Sequence, residues 1–192
     1  CKESELPLVA DIHFDYKLAI AAAEGGAAKI RINPGNIGGE DRVQAVVDVC
    51  KDKHIPIRIG VNAGSLERDL AARFAAGERR APLLVESAMR HLKLLEDEGF
   101  HDVVISAKAS NALETIEVYR MLAETTDCPL HLGVTEAGTL IPGAVRNSVA
   151  LGILLSEGIG DTIRVSLTAR PEKEVRVALE ILRALALREP GP

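Results

Sequence analysis

The chain repeats one phrase six times: a short β-branched run, a polar or glycine-bearing turn, then a longer stretch of 3.6-residue hydrophobic period. No other feature constrains the fold as tightly. Strand and helix in strict alternation require parallel strands joined by right-handed crossovers. Strands are expected at 6–13, 28–34, 55–62, 102–108, 129–136 and 162–168. Helices are expected at 15–24, 41–51, 82–98, 112–124, 144–156 and 171–187, with a short extra helix at 66–74 capped by Ser65 and followed by a loop at 77–82. Gly25 and Gly99 fall where a left-handed cap ends a helix, and Pro171 suits a first helical turn.

Aromatic residues make up only 3% of the chain and Trp is absent, so the core must be built from Val, Ile, Leu and Ala. With 192 residues the six units average 32 residues each. A closed (β/α) barrel has eight units and roughly 250 residues. The expectation is therefore one domain over residues 1–192, a TIM-type α/β barrel short of two units, belonging to a longer protein. An open, doubly wound sheet is the rival fold. It is disfavoured because Asp11-Ile12-His13-Phe14-Asp15, and no glycine-rich dinucleotide turn, follows the first strand. An incomplete barrel has exposed strand edges, which predicts poor solubility or marginal stability for the piece alone.

A net charge of −5 argues against a general nucleic-acid binder. No apolar run is long enough to cross a bilayer, and the first residues lack the order of a signal peptide. Cys1, Cys50 and Cys128 are far apart and show no ligand-like spacing, so a reducing cytoplasm is expected. Cys50 and Cys128 read as packing residues. His54 and His101 read as exposed, His91 as part of an amphipathic helix, and Arg79-Arg80 as a charge pair in a loop.

Side chains two apart on a strand face the same way. Strand after strand ends in such polar sets: Asp11 and His13; Arg31 and Asn33; Arg58 and Asn62; Ser106, Lys108 and Ser110; His131 and Thr135, then Glu136; Arg164 and Ser166. In a barrel these carboxy-terminal strand ends converge. Arg31, Arg58, Lys108 and Arg164 would repel one another there, and Asp11 and Glu136 balance only part of their charge. A phosphate or diphosphate supplies the rest, with arginine forking onto it and lysine acting as a point charge. The glycine-rich stretch 33–39, with Asn36 within it, is expected to wrap an oxyanion. Gly60 and Gly133, mid-strand, are expected to leave room for the ligand.

Several long blocks resemble the 4-hydroxy-3-methylbut-2-en-1-yl diphosphate synthase family: VADIHFDY (9–16), RINPGNIG (31–38), IPIRIGVNAGSLERDL (55–70), ESAMRH (86–91), LHLGVTEAG (130–138) and LLSEGIGDTIRVSLT (154–168). The resemblance covers essentially the whole chain in order. It implies reductive ring opening and dehydration of 2-C-methyl-D-erythritol 2,4-cyclodiphosphate to a linear allylic diphosphate, in isoprenoid biosynthesis. It also implies a [4Fe–4S] cluster fed by ferredoxin or flavodoxin, and a homodimer pairing one subunit's barrel with the other's cluster domain. The family's cluster ligands, three Cys including a C-x-x-C and a Glu, lie carboxy-terminal to this region, so they and the first two barrel units are expected outside the chain. Thr139 stands where the family often has Gly.

The residues expected to hold the diphosphate are Arg31, Asn33, Arg58, Asn62, Lys108, Arg164 and Ser166, with Asn36 and Ser110 in lesser parts. Asp11 and His13 are expected to orient hydroxyls or arginines. Glu136, beside Thr135, is the candidate for proton transfer or charge stabilisation. Rival readings are an aldolase-type barrel with Lys108 as Schiff-base nucleophile, a pterin-binding barrel, and a non-catalytic phosphate-binding module.

Overall fold

The computed structural model describes residues 3–189, so Cys1 lies outside the described residues. Six strands alternate with eight helices among them: β1 (Val9–Asp11), α1 (Tyr16–Glu24), β2 (Lys29–Ile32), α2 (Pro34–Ile37), α3 (Glu40–Asp52), β3 (Ile57–Asn62), α4 (Arg68–Ala75), α5 (Arg80–Asp97), β4 (Val103–Lys108), α6 (Ala112–Thr125), β5 (His131–Leu132), α7 (Leu140–Ser156), β6 (Thr162–Ile163) and α8 (Pro171–Ala184). β1 to β4 form one parallel sheet in chain order, β5 and β6 pair in parallel, and an Ile105–Leu130 bridge joins the two groups. The order never reverses, as a doubly wound sheet requires. This is the incomplete barrel that the alternation predicts.

The period-two pattern decides which face is which. Ile30, Ile32, Ile57, Ile59, Val61, Ile105 and Leu132 are fully buried against the helices, which supply Val47, Leu84, Leu95 and Leu122. The alternate residues face the barrel axis and are polar. Register sets them in rows: Asp11 beside Arg31 beside Arg58, and Asn62 beside Lys108. No helix among the described residues is long and apolar enough to cross a membrane.

Local departures from expectation have identifiable causes. The fifth and sixth strands are much shorter than 129–136 and 162–168 because side chains take over their ladder bonds. Asn147 of α7 accepts from Val134 N and donates to the Ser166 carbonyl, and Glu174 of α8 accepts from Leu167 N at 2.8 Å. Residues 34–37 coil into the one-turn helix α2 instead of forming an open loop. Ser65 does not cap α4, which starts at Arg68; its hydroxyl bonds Asn33 and the Asn62 carbonyl instead. The left-handed residue after α1 is Gly26 rather than Gly25, whereas Gly99 has the expected positive φ. α5 and α7 begin earlier than expected, at Arg80 and Leu140, and α8 stops at Ala184.

Candidate functional site

Two adjoining cavities of about 460 Å³ each open at the carboxy-terminal strand ends. The inner one is lined by Asp11, Arg58, Lys108, Arg164 and Ser166 among others, and the outer one by Asn33, Asn36, Ser110 and Glu136. His13, Arg31, Asn62 and Thr135 line both. All thirteen residues expected to bind the ligand or act on it thus line one or both of these two cavities.

Arg31 is buried, donating to Asp11 Oδ1 at 2.7 Å and to the Gly60 carbonyl at 3.2 Å. With its amide oxygen turned toward Arg31, Asn62 accepts from Nη2 at 3.3 Å. His13 Nε2 lies 3.6 Å from the same Asp11 oxygen. Arg31 is therefore fixed, while among the described residues Arg58, Lys108 and Arg164 have no hydrogen-bonded carboxylate; Glu174 comes only within 3.9 Å of Arg164. Burial lowers the Lys108 ammonium to about 7, helped by Arg164, Arg58 and Arg31. An anion placed among these groups would reverse that strain.

Three expectations need correction. Gly60 leaves room for one of the site's own cations, since a Cβ there would sit 1.9 Å from Arg31 Nε, and Gly133 leaves room for the neighbouring backbone, since a Cβ there would sit 2.6 Å from the Arg164 carbonyl. Within the 33–39 segment, three of the amides are already bonded inside the turn. Asn33 Oδ1 accepts from Gly35 N at 3.1 Å, and the amides of Asn36 and Ile37 bond the Asn33 carbonyl. Asn33 is thus a helix cap and a tether to Ser65. His131 is not at the rim: it opens β5, buried, with Nδ1 2.8 Å from Thr162 Oγ1 and outside both cavities. Burial and the cations above it hold its pKa near 2, so it is neutral.

Sequence reasoning passed over two features. Arg80 is not a loop charge but the first residue of α5, and it lines the outer cavity. His91 is buried, its Nε2 3.2 Å from Glu67 Oε1, while Ser87 Oγ donates to Glu67 Oε2 at 2.7 Å. Glu67 ends the loop whose Ala63, Gly64 and Ser65 line the outer cavity, and the His91 ring packs on Gly35 of α2. Helical period alone buries His91; nothing local in the sequence pairs it with a residue 24 positions away. Glu136 carries a positive φ of 50°, uncommon for a residue with a side chain and a feature that clusters at functional sites.

Cys50 is buried in the core, its thiol pushed up to about 11 by burial, and Cys128 is partly buried. No three metal-ligating side chains among the described residues are grouped to hold an ion. The described residues therefore do not fit an iron–sulfur cluster.

Parallel βα units with basic side chains gathered at one rim define a TIM-type barrel domain. The family model described as "GcpE TIM-barrel domain" matches residues 1–179, and the chain belongs to that family. It is similar to proteins named 4-hydroxy-3-methylbut-2-en-1-yl diphosphate synthase (flavodoxin): 57% identical to that of Maridesulfovibrio salexigens (100% of this chain, 53% of that protein), 56% to that of Desulfotalea psychrophila (98% and 52%) and 55% to that of Bacillus subtilis (97% and 49%). The chain thus spans about half the length of these relatives. Among solved structures it resembles Xanthomonas albilineans dihydropteroate synthase with 4-aminobenzoic acid, at TM-score 0.61 and 15% identity, over 98% of this chain and 68% of that one. At that identity the likeness is one of fold.

Proposed function

We propose that this chain is the substrate-binding barrel of an enzyme that reductively opens 2-C-methyl-D-erythritol 2,4-cyclodiphosphate and dehydrates it to 4-hydroxy-3-methylbut-2-enyl diphosphate. The observation that carries this reading is the cluster of Arg58, Lys108 and Arg164 on one cavity, without hydrogen-bonded carboxylates among the described residues, in a chain of net charge −5. The relatives' shared name agrees with a diphosphate ligand. Arg58, Lys108, Arg164 and Ser166 hold the phosphates; Arg31, pinned by Asp11, presents a fixed edge shared by both cavities. Asp11 and His13 orient hydroxyls at the inner cavity, and Glu136 with Thr135 faces the reacting carbon skeleton.

The electrons come from a [4Fe–4S] cluster held elsewhere in the longer protein, reduced by flavodoxin or ferredoxin, with two subunits completing each site. The barrel occupies the whole of this chain, and the two remaining units and the cluster domain belong to the rest of the polypeptide; the setting is the cytoplasm. What this chain contributes is binding, orientation and a carboxylate at the rim. Its test is calorimetry on the complete protein: Arg58→Ala should raise the Kd for the cyclodiphosphate at least tenfold, about 1.4 kcal/mol. Unchanged affinity removes Arg58 from the site.

One observation favours a second reading. An amine near pKa 7 among arginines is also how a Schiff-base lysine is activated. Borohydride trapping of a carbonyl substrate on Lys108 would support that aldolase-type chemistry and count against the first reading.

A further inference from the structure

Arg80 differs from the arginines around it. Arg73 donates to Glu78 and Glu86, Arg90 to Glu86 with Asp69 at 2.7 Å, and Arg79 pairs with Glu117. Arg80 donates no hydrogen bond among the described residues. Its Nε is buried and unpartnered, and the nearest carboxylate oxygen, on Glu114, is 3.7 Å away. That oxygen's carboxylate is already engaged by Asn111 Nδ2 at 3.2 Å. What holds Arg80 is the Phe74 ring, 4.3 Å below the guanidinium carbon, a distance at which a cation is attracted to an aromatic face. The side chain is 28% exposed, and the surface it leaves open faces the outer cavity.

Charge makes this placement matter. The inner cavity has Arg58, Lys108 and Arg164 for one phosphate. The outer cavity has Arg31, already neutralised by Asp11, together with the Glu136 carboxylate. Without Arg80 the charges lining the outer cavity, Arg31 and Glu136, would cancel and offer a second phosphate no net attraction. With it, that cavity offers a stacked, oriented fork beside Ser65, Ser110 and Asn36.

We infer that Arg80 is an additional ligand-binding residue, holding the outer phosphate of a diphosphate whose inner phosphate sits on Arg58, Lys108 and Arg164. The inference rests on the anion-site reading above and adds the residue that sets the ligand's length. It predicts that the site measures two phosphates, not one.

The test is calorimetry on the full-length protein with inorganic pyrophosphate and orthophosphate as probes, using Arg80→Gln, Arg80→Ala, Arg79→Ala and Arg58→Ala. Arg80→Gln keeps a stem over Phe74, so a folding defect in the alanine variant does not end the test. Both Arg80 variants should weaken pyrophosphate about tenfold, the size of one charge-assisted hydrogen bond, and leave orthophosphate within about twofold. Arg79→Ala should bind both like the parent. Pyrophosphate affinity unchanged in Arg80→Gln, while Arg58→Ala loses it, overturns the role of Arg80 and leaves the anion site standing. An equal loss in Arg79→Ala overturns it too, because the effect is then only general charge. A parent that binds neither probe defeats the anion-site reading and this inference together.

Discussion

The Arg31 guanidinium lies flat across Gly60 on the neighbouring strand, where a Cβ would come within 1.9 Å of Nε and 2.4 Å of Nη2. Glycine weakens a strand, and β3 accepts that weakness because no other residue lets the arginine cross it. Gly60→Ala should eject Arg31, breaking its bonds to Asp11 and to the Gly60 carbonyl. We expect at least a tenfold loss of pyrophosphate affinity by calorimetry and a loss of about 1–3 kcal/mol in denaturant unfolding. Gly152→Ala, in α7 away from both cavities and with open space for its Cβ, is the control and should neither weaken pyrophosphate nor lower stability.

Gly133 fails differently. Its Cβ would lie 2.6 Å from the Arg164 carbonyl, and backbone does not yield as a flexible side chain does. Arg164 N donates to the Leu132 carbonyl across the same junction. Gly133→Ala should therefore separate β5 from the chain after β6 and lower stability by more than Gly60→Ala. Hydrogen exchange should speed up first at the Arg164 amide; an unchanged rate there would show that the strands can shift to make room.

Much of this architecture was legible in the sequence because period two and period 3.6 are local signals. They placed the six strands, sorted the polar inner face from the apolar outer one, and brought Asp11, Arg31, Arg58, Lys108 and Arg164 to one rim. What stayed hidden depends on partners far along the chain. Asn147 reaches β5 and β6 from α7, so the strand ends could not be read from β-branched runs. That Asn33 caps α2 while lining the outer cavity shows only once Gly35 N is seen to bond its side chain. Arg80 carries no mark in the sequence because its stacking on Phe74 and its lack of a hydrogen-bonded carboxylate are both tertiary facts.

Glu67 gives stability a pH dependence of known sign. Burial alone would raise its carboxyl, but the hydrogen bonds from His91 and Ser87 outweigh that and hold it at about 2, below its ordinary 4.5. A depressed carboxyl stabilises the fold above the unfolded value and loses that contribution as pH falls from about 4.5 toward 2. The partly exposed site should limit it to about 1–2 kcal/mol. Glu67→Gln should flatten this part of the stability–pH curve. The same slope in parent and variant would place the titration elsewhere.

Glu136 separates charge from shape. It sits at the outer cavity in a left-handed backbone conformation that a Gln can occupy equally well. Glu136→Gln in the complete protein with its cluster reconstituted should cut turnover by about 10²–10⁴, the usual worth of a proton-transferring group, with the Kd for the cyclodiphosphate within about threefold. Turnover equal to the parent's would leave the carboxylate no chemical part.

Lys108 links ligand binding to protons. In the empty site burial, Arg164, Arg58 and Arg31 hold its pKa near 7, so at neutral pH it is protonated in only about half the molecules. A bound diphosphate favours the charged amine and raises that pKa. Below pH 7 the amine is already charged and binding should take up no proton there. Above pH 7 binding should take up as much as one proton per site, and log K should fall with pH at a slope approaching −1 until the raised pKa is passed. Calorimetry in buffers of different ionisation enthalpy reads the uptake directly. The same shift has a cost in the empty protein. The unfolded chain holds the proton up to the ordinary value of 10.5, so between about 7 and 10.5 the unfolded state binds more protons and stability should rise with pH. Lys108→Met removes both effects. It should abolish the proton uptake, weaken pyrophosphate at least tenfold, and make the empty protein more stable near neutral pH, because a buried charge among like charges is replaced by a side chain of similar length. A variant that binds weakly and is also less stable would mean that Lys108 holds the barrel together and that its charge is already compensated.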